Sequence, residues 1–107
     1  MKNIQPTELA AWLADPRREK PLLLDVREQW EWDKARIEGA RHIPMRDIPA
    51  RVGEIDRDKE VVAICHHGGR SMQVAMFLEK NGFSKVHNLQ GGVDAWSRTV
   101  DPAVPLY

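Results

Sequence analysis

Short apolar runs alternate along this chain with segments whose apolar residues recur at helical spacing. Leu9, Trp12 and Leu13 fall at i, i+3 and i+4 and make one apolar face. Thr7 can cap this helix, with Pro6 just before it, and Asp15-Pro16 ends it. Leu22-Leu23-Leu24, then Asp25-Val26, is apolar on both faces, and the run over 21–26 predicts a buried strand. Residues 28–34 predict a short helix, and 39–44 an extended piece that ends in a proline turn. Residues 47–55 predict a weak helix interrupted by Pro49 and Gly53. Val61-Val62-Ala63-Ile64 is an apolar, mostly β-branched run and gives the clearest strand, over 60–65. A helix over 71–81 follows, carrying Val74, Met76, Phe77 and Leu78 and stopped by Gly82. Residues 86–89 make a further strand, Gly91-Gly92 a turn, 93–99 a last helix, and Pro102 and Pro105 mark an irregular tail.

Strand–helix alternation with short links implies an α/β fold with parallel strands and helices on both faces of the sheet. Chemistry in such sheets sits at the carboxyl ends of the strands. Cys65 lies at such an end.

Composition narrows the classes. The 107 residues suit one domain, 1–107, large enough to fold without disulfides or a structural metal. Lys+Arg and Asp+Glu both number 16, so net charge gives no support for nucleic acid or an anionic membrane as partner. Any anion must be bound by local groups. The single cysteine, Cys65, forms no internal disulfide and fits a reducing compartment. No secretory leader or membrane span is evident, so the cytoplasm is the expected location.

The informative segment is Cys65-His66-His67-Gly68-Gly69-Arg70-Ser71. It follows a buried strand and opens a helix. Two glycines let the backbone turn tightly and aim successive N–H groups at one point. The helix adds the positive end of its dipole, and Arg70 adds a fork of donors suited to oxyanions. A cysteine anion held in that cradle can attack a sulfur or phosphorus centre and carry a covalent intermediate. No Asp or Glu lies between Glu60 and Glu79, so the neighbouring chain brings no carboxylate to the loop.

Cys65-His66-His67-Gly68-Gly69-Arg70 resembles the active-site loop of the rhodanese family, a Cys followed by four residues and an Arg. Three further stretches resemble family marks in the same order. These are Asp25-Val26-Arg27-Glu28 with Glu31-Trp32, Gly39-Ala40-Arg41-His42-Ile43-Pro44, and Gly91-Gly92-Val93-Asp94-Ala95-Trp96. The resemblance runs from about Ile4 to the end and implies a rhodanese-like fold: a five-stranded parallel sheet flanked by helices on both faces. It implies a thiosulfate sulfurtransferase in which Cys65 takes the outer sulfur from a small anionic donor as a persulfide. A thiophilic acceptor such as cyanide or a thiol then removes it. The same resemblance makes His66, His67, Gly68, Gly69, Arg70 and Ser71 substrate-binding, with Arg70 on the anionic donor. It implies neither a metal nor an organic cofactor. Phosphatases related to this fold use a loop one residue longer, so loop length favours sulfur over phosphorus. A small thiol phosphatase or arsenate reductase is therefore the weaker alternative, a sulfur relay to a protein partner the nearer one.

Other residues read as architecture. Cys65, His66 and His67 are adjacent in a tight loop with no ligand-spaced carboxylate in the nearby sequence, which argues against a shared metal ion. Asp25 and Arg27 are expected to hold loops together at a strand end. His42 and His87 are expected to be structural, and Trp96 to pack in the core. One of Trp30 and Trp32 is expected inside and the other at the surface.

Overall fold

All four residues of Val61–Ile64 are fully buried, which fits an apolar β-branched run that has no wet face. This strand sits at the centre of the sheet. The computed structural model describes residues 1–107. Its strands are β1 (Lys2–Ile4), β2 (Leu22–Asp25), β3 (Arg41–His42), β4 (Val61–Ile64) and β5 (Val86–Leu89). They form one five-stranded sheet in the order β1-β5-β4-β2-β3, and every pairing is parallel. The helices are α1 (Pro6–Ala14), α2 (Gln29–Lys34), α3 (Ile48–Arg51), α4 (Gly69–Lys80) and α5 (Gly92–Thr99).

The period-two alternation of β4 divides its side chains between two cores. Val61 and Ala63, followed by Cys65, pack with Val74, Ala75 and Leu78 of α4 and with Ile48 and Ile55. Val62 and Ile64 pack with Leu9 and Trp12 of α1 and with Val93 and Trp96 of α5. Helices therefore cover both faces, as the alternation of elements requires.

Several expectations shift by a few residues. α1 begins at Pro6, with Gln5 as its cap and Glu8 closing a capping box on it, so Thr7 lies inside the helix. α4 begins at Gly69, two residues before the expected start. The interrupted helix over 47–55 is a 3-10 turn at Met45–Asp47, the single α-turn of α3, and a second 3-10 turn at Val52–Glu54. Pro49 is accommodated in the first turn of α3, where a backbone N–H has no helical partner to lose. β1 was not foreseen from the pattern. It spans three residues and buries just Ile4, so it carries no alternation to detect. No helix is long and apolar enough to cross a membrane.

Candidate active site

β4 delivers Cys65 to the carboxyl edge of the sheet, and the chain then turns through His66, His67 and Gly68 into α4. Gly68 caps α4 at a φ of 106°, a left-handed conformation open to glycine. Its backbone N–H donates to Cys65 Sγ at 3.0 Å. The sulfur therefore sits at the N-terminus of a helix of 12 residues, where the dipole favours negative charge.

The far side of the loop is held by α5. The N–H groups of Val93 and Asp94 donate to the carbonyls of Cys65 and His66 at 2.9 and 3.1 Å. A trans peptide points its N–H opposite to its C=O, so the following amides of His66 and His67 face away from α5. The contact requires glycine: a Cβ at Gly92 would lie 2.3 Å from the Cys65 carbonyl oxygen. The Gly91-Gly92 pair is thus the hinge by which one helix grips the loop of another.

Ser71, on the first turn of α4, brings its hydroxyl to 3.3 Å from Cys65 Sγ and to 2.5 Å from Asn88 Oδ1. A hydroxyl has one proton, so these two bonds are alternatives. Asn88 is oriented by its amide nitrogen, which donates to the Gly68 carbonyl at 3.1 Å and to Asn3 Oδ1 at 3.2 Å. It ties β5 and β1 to the loop.

Arg70 does not project freely into the cradle. Its Nη1 and Nη2 donate to Glu31 Oε1 and Oε2 at 2.6 and 2.8 Å, a bidentate ion pair across 39 residues of sequence. The Glu28 backbone N–H donates to Oε1 at 3.0 Å, and the Tyr107 hydroxyl to Oε2 at 2.9 Å. Glu31 is buried, and the Arg70 bonds, opposed by burial and aided by Glu28 and Tyr107, hold its carboxyl down to about 2. The same pair keeps Arg70 above its ordinary value. The Tyr107 ring stacks on His66 with centroids 3.9 Å apart, and burial pushes its hydroxyl up to about 12.

A pH dependence follows with a defined sign. The Glu31 carboxyl is depressed in the folded state relative to an unfolded value near 4.3. Its contribution to stability is complete above that value and is lost as pH falls from about 4.3 toward about 2. Denaturant unfolding from pH 6 to pH 2 is expected to show stability falling in this window. Glu31→Gln should flatten part of the fall. An equally steep profile in the variant would remove Glu31 as its source.

The His66 and His67 rings lie against each other, tilted by 33°, with centroids 3.8 Å apart. Burial, then His67, lowers the His66 pKa from its ordinary value. Contrary to the sequence reading, a carboxylate does stand nearby: α5 brings Asp94, and ligand atoms of His66, His67 and Asp94 lie within 4.8 Å of one another. These three are the residues able to ligate a metal ion. Asp94 is instead paired with Arg98 at 3.0 Å.

The supporting residues fall as expected. Arg27 and Asp25 are fully buried and ion-paired at 2.7 Å. His42 Nε2 bonds the Arg27 carbonyl, His87 Nε2 meets Glu60, and Trp96 is buried. Trp30 is 61% exposed and edge-on to Tyr107, while Trp32 is half-buried and stacked on His42. Glu31, Asn88, Asp94 and Tyr107 were not singled out as site residues. Asn88 had a weak signal, a polar residue in a strand just before the apolar Leu89; Tyr107 had none.

Comparison with known proteins gives a consistent result. The family model described as "Rhodanese-like domain" matches residues 5–99. The chain is 38% identical over 104 residues to a sulfurtransferase of Allochromatium vinosum, covering 97% of this chain and 95% of that one. It is also 38% identical over its whole length to the rhodanese-like/PpiC domain-containing protein 12 of Arabidopsis thaliana, of which it spans 38%. The crystal structure of a rhodanese-like domain protein from Staphylococcus aureus superposes with a TM-score of 0.85 at 30% identity, covering 100% of this chain and 99% of that one.

Proposed function

Because this chain belongs to the rhodanese-like domain family of sulfurtransferases and sulfur carriers, we propose that it moves a sulfane sulfur from a donor such as thiosulfate to a thiophilic acceptor through a persulfide on Cys65. The observation that carries the reading is the placement of Cys65 Sγ, 3.0 Å from the Gly68 N–H at the N-terminus of α4.

The Cys65 thiolate attacks the outer sulfur of thiosulfate. An S–S bond to Cys65 forms, the donor's own S–S bond breaks, and sulfite leaves with the electron pair. Cys65 then carries a terminal persulfide anion. Backbone donors of the loop are aimed where that charge develops, and the helix dipole adds to them. In the second half, cyanide or a thiolate attacks the terminal sulfur. Thiocyanate or a new persulfide departs, and the Cys65 thiolate returns. Residues 66–71 form the wall of the cradle. A reducing compartment such as the cytoplasm would keep the thiol available.

A protein acceptor is the second reading, and exposed Trp30 favours it. This large apolar side chain borders the loop through Tyr107, where a partner could cover it.

The test is intact mass after incubation with thiosulfate, and again after cyanide. The expected result is a gain of one sulfur atom that cyanide removes. No gain from thiosulfate or from an organic persulfide, in protein whose Cys65 still alkylates, would end the persulfide reading.

A further inference from the structure

The geometry points to Glu31 as a specificity-determining residue: by cancelling the charge of Arg70 it sets the site for donors with at most one negative charge at the sulfur, alkyl persulfides, over the thiosulfate dianion. This rests on the persulfide reading above and adds the donor class.

The argument is one of charge and satisfaction. An ionised carboxylate offers about four acceptor positions. Glu31 meets Arg70 Nη1 and the Glu28 N–H on one oxygen, and Arg70 Nη2 and the Tyr107 hydroxyl on the other. Its side chain is 4% exposed. If Arg70 swung away to meet an oxyanion, a buried carboxylate would lose its cation, which is strongly unfavourable. Arg70 is therefore fixed on Glu31, and a donor meets a neutral pair.

The other cations near the site are compensated too. Arg27 is spent on Asp25, and Arg98 on Asp94. The whole chain has zero formal net charge and so supplies no long-range attraction. What remains is dipolar: loop amides and the start of α4. These suit one negative charge developing at one sulfur.

An alkyl persulfide has that form. The Cys65 thiolate attacks its outer sulfur, the S–S bond of the donor breaks, and the alkyl thiolate leaves with the electron pair. The transferred sulfur stays on Cys65 and gives up its proton to solvent. No sulfite is released in this exchange.

The experiment compares thiosulfate with cysteine persulfide as donors in the full chain. Sulfur loading of Cys65 is followed by mass, in the parent and in Glu31→Gln, across ionic strength. Gln keeps the bond to the Glu28 amide and much of the shape, and removes the charge. The expected result is a fall of about tenfold or more in KM for thiosulfate in the variant, from one unit charge removed at short range. The persulfide KM, and kcat for either donor, should change by less than about threefold. A residue that merely stabilised the fold would alter both donors together. In the parent, kcat/KM for thiosulfate should be nearly flat with salt; in Glu31→Gln it should fall as salt screens the exposed guanidinium. An unchanged donor ratio in a cooperatively folded variant overturns the inference. So does a steep salt dependence for thiosulfate in the parent, which needs no variant. If neither donor loads the parent, the persulfide reading itself has failed.

Discussion

A Cys65→Ser protein is expected to take up no sulfur from any donor and to transfer none above background, while unfolding within about 1 kcal/mol of the parent. The two halves of this result have separate causes. The side chain is 1% exposed and its shape is nearly conserved, so Ser fits the space between Ala63 and α4. Its oxygen can accept from the Gly68 N–H, which donates to sulfur in the parent. The Gly68 donor therefore keeps an acceptor, and stranded buried donors are what make core substitutions costly. The chemistry has no such substitute. A serine hydroxyl stays protonated at neutral pH and is a weak nucleophile, and it has no sulfur with which to hold another. Intact mass checks the first half and urea unfolding the second. Full transfer by the serine protein would remove Cys65 as the sulfur carrier. A lost fold would show that the thiol also has a packing role that the geometry does not reveal.

How much of this site was legible depends on whether its parts are contiguous in sequence. The loop from Cys65 to Ser71 is contiguous, and its glycines, its arginine and the apolar strand before it each carry a local signal. Gly91-Gly92 was legible as a turn. Its closer function, letting α5 bond the carbonyls of Cys65 and His66, depends on a contact that spans more than twenty positions and has no local mark. The charge at the site was misjudged for the same reason. Counting acidic residues around Cys65 finds none, yet α2 brings Glu31 and α5 brings Asp94. The topology explains this: parallel strands collect the starts of their following helices at one edge, so residues after β2 and β5 converge on the loop after β4. A sequence window around one strand samples just a fraction of that edge.

The fold was easier to read than the site because its signal is repeated. β4 and β2 are apolar on both faces, and α4 and α5 carry stripes that match two separate cores. Where an element is too short for a pattern, as in β1 and β3, the pairing decides. β1 is recruited by β5 in register Ile4 with Leu89, and β3 by β2 in register His42 with Asp25. β3 falls inside the extended piece expected over 39–44, whereas β1 is too short to announce itself.

Arg27→Ala is expected to cost about 3–5 kcal/mol of folding stability, the usual penalty for breaking a buried ion pair from one side. Arg27 is fully buried, yet each face of its guanidinium is occupied. Nε and Nη2 bond the Asp25 carboxylate at 2.7–3.0 Å. Nη1 reaches the Glu31 carbonyl at 3.3 Å and the Tyr107 hydroxyl at 2.7 Å, and Nη2 also meets the Ala35 carbonyl. One side chain thus joins the end of β2, both ends of α2 and a residue 80 positions away. Alanine would leave the Asp25 carboxylate with no cation and with its fully buried place unchanged. It would also free Tyr107, which steadies Glu31. Urea unfolding of Arg27→Ala, Asp25→Ala and the double variant separates these effects. The double variant should recover part of the loss, because the stranded charge is then gone. A single-variant loss below about 1 kcal/mol would place Arg27 among surface-like pairs and contradict the burial seen here. A double variant as unstable as the sum would assign the cost to the Tyr107 and Ala35 bonds instead of the ion pair.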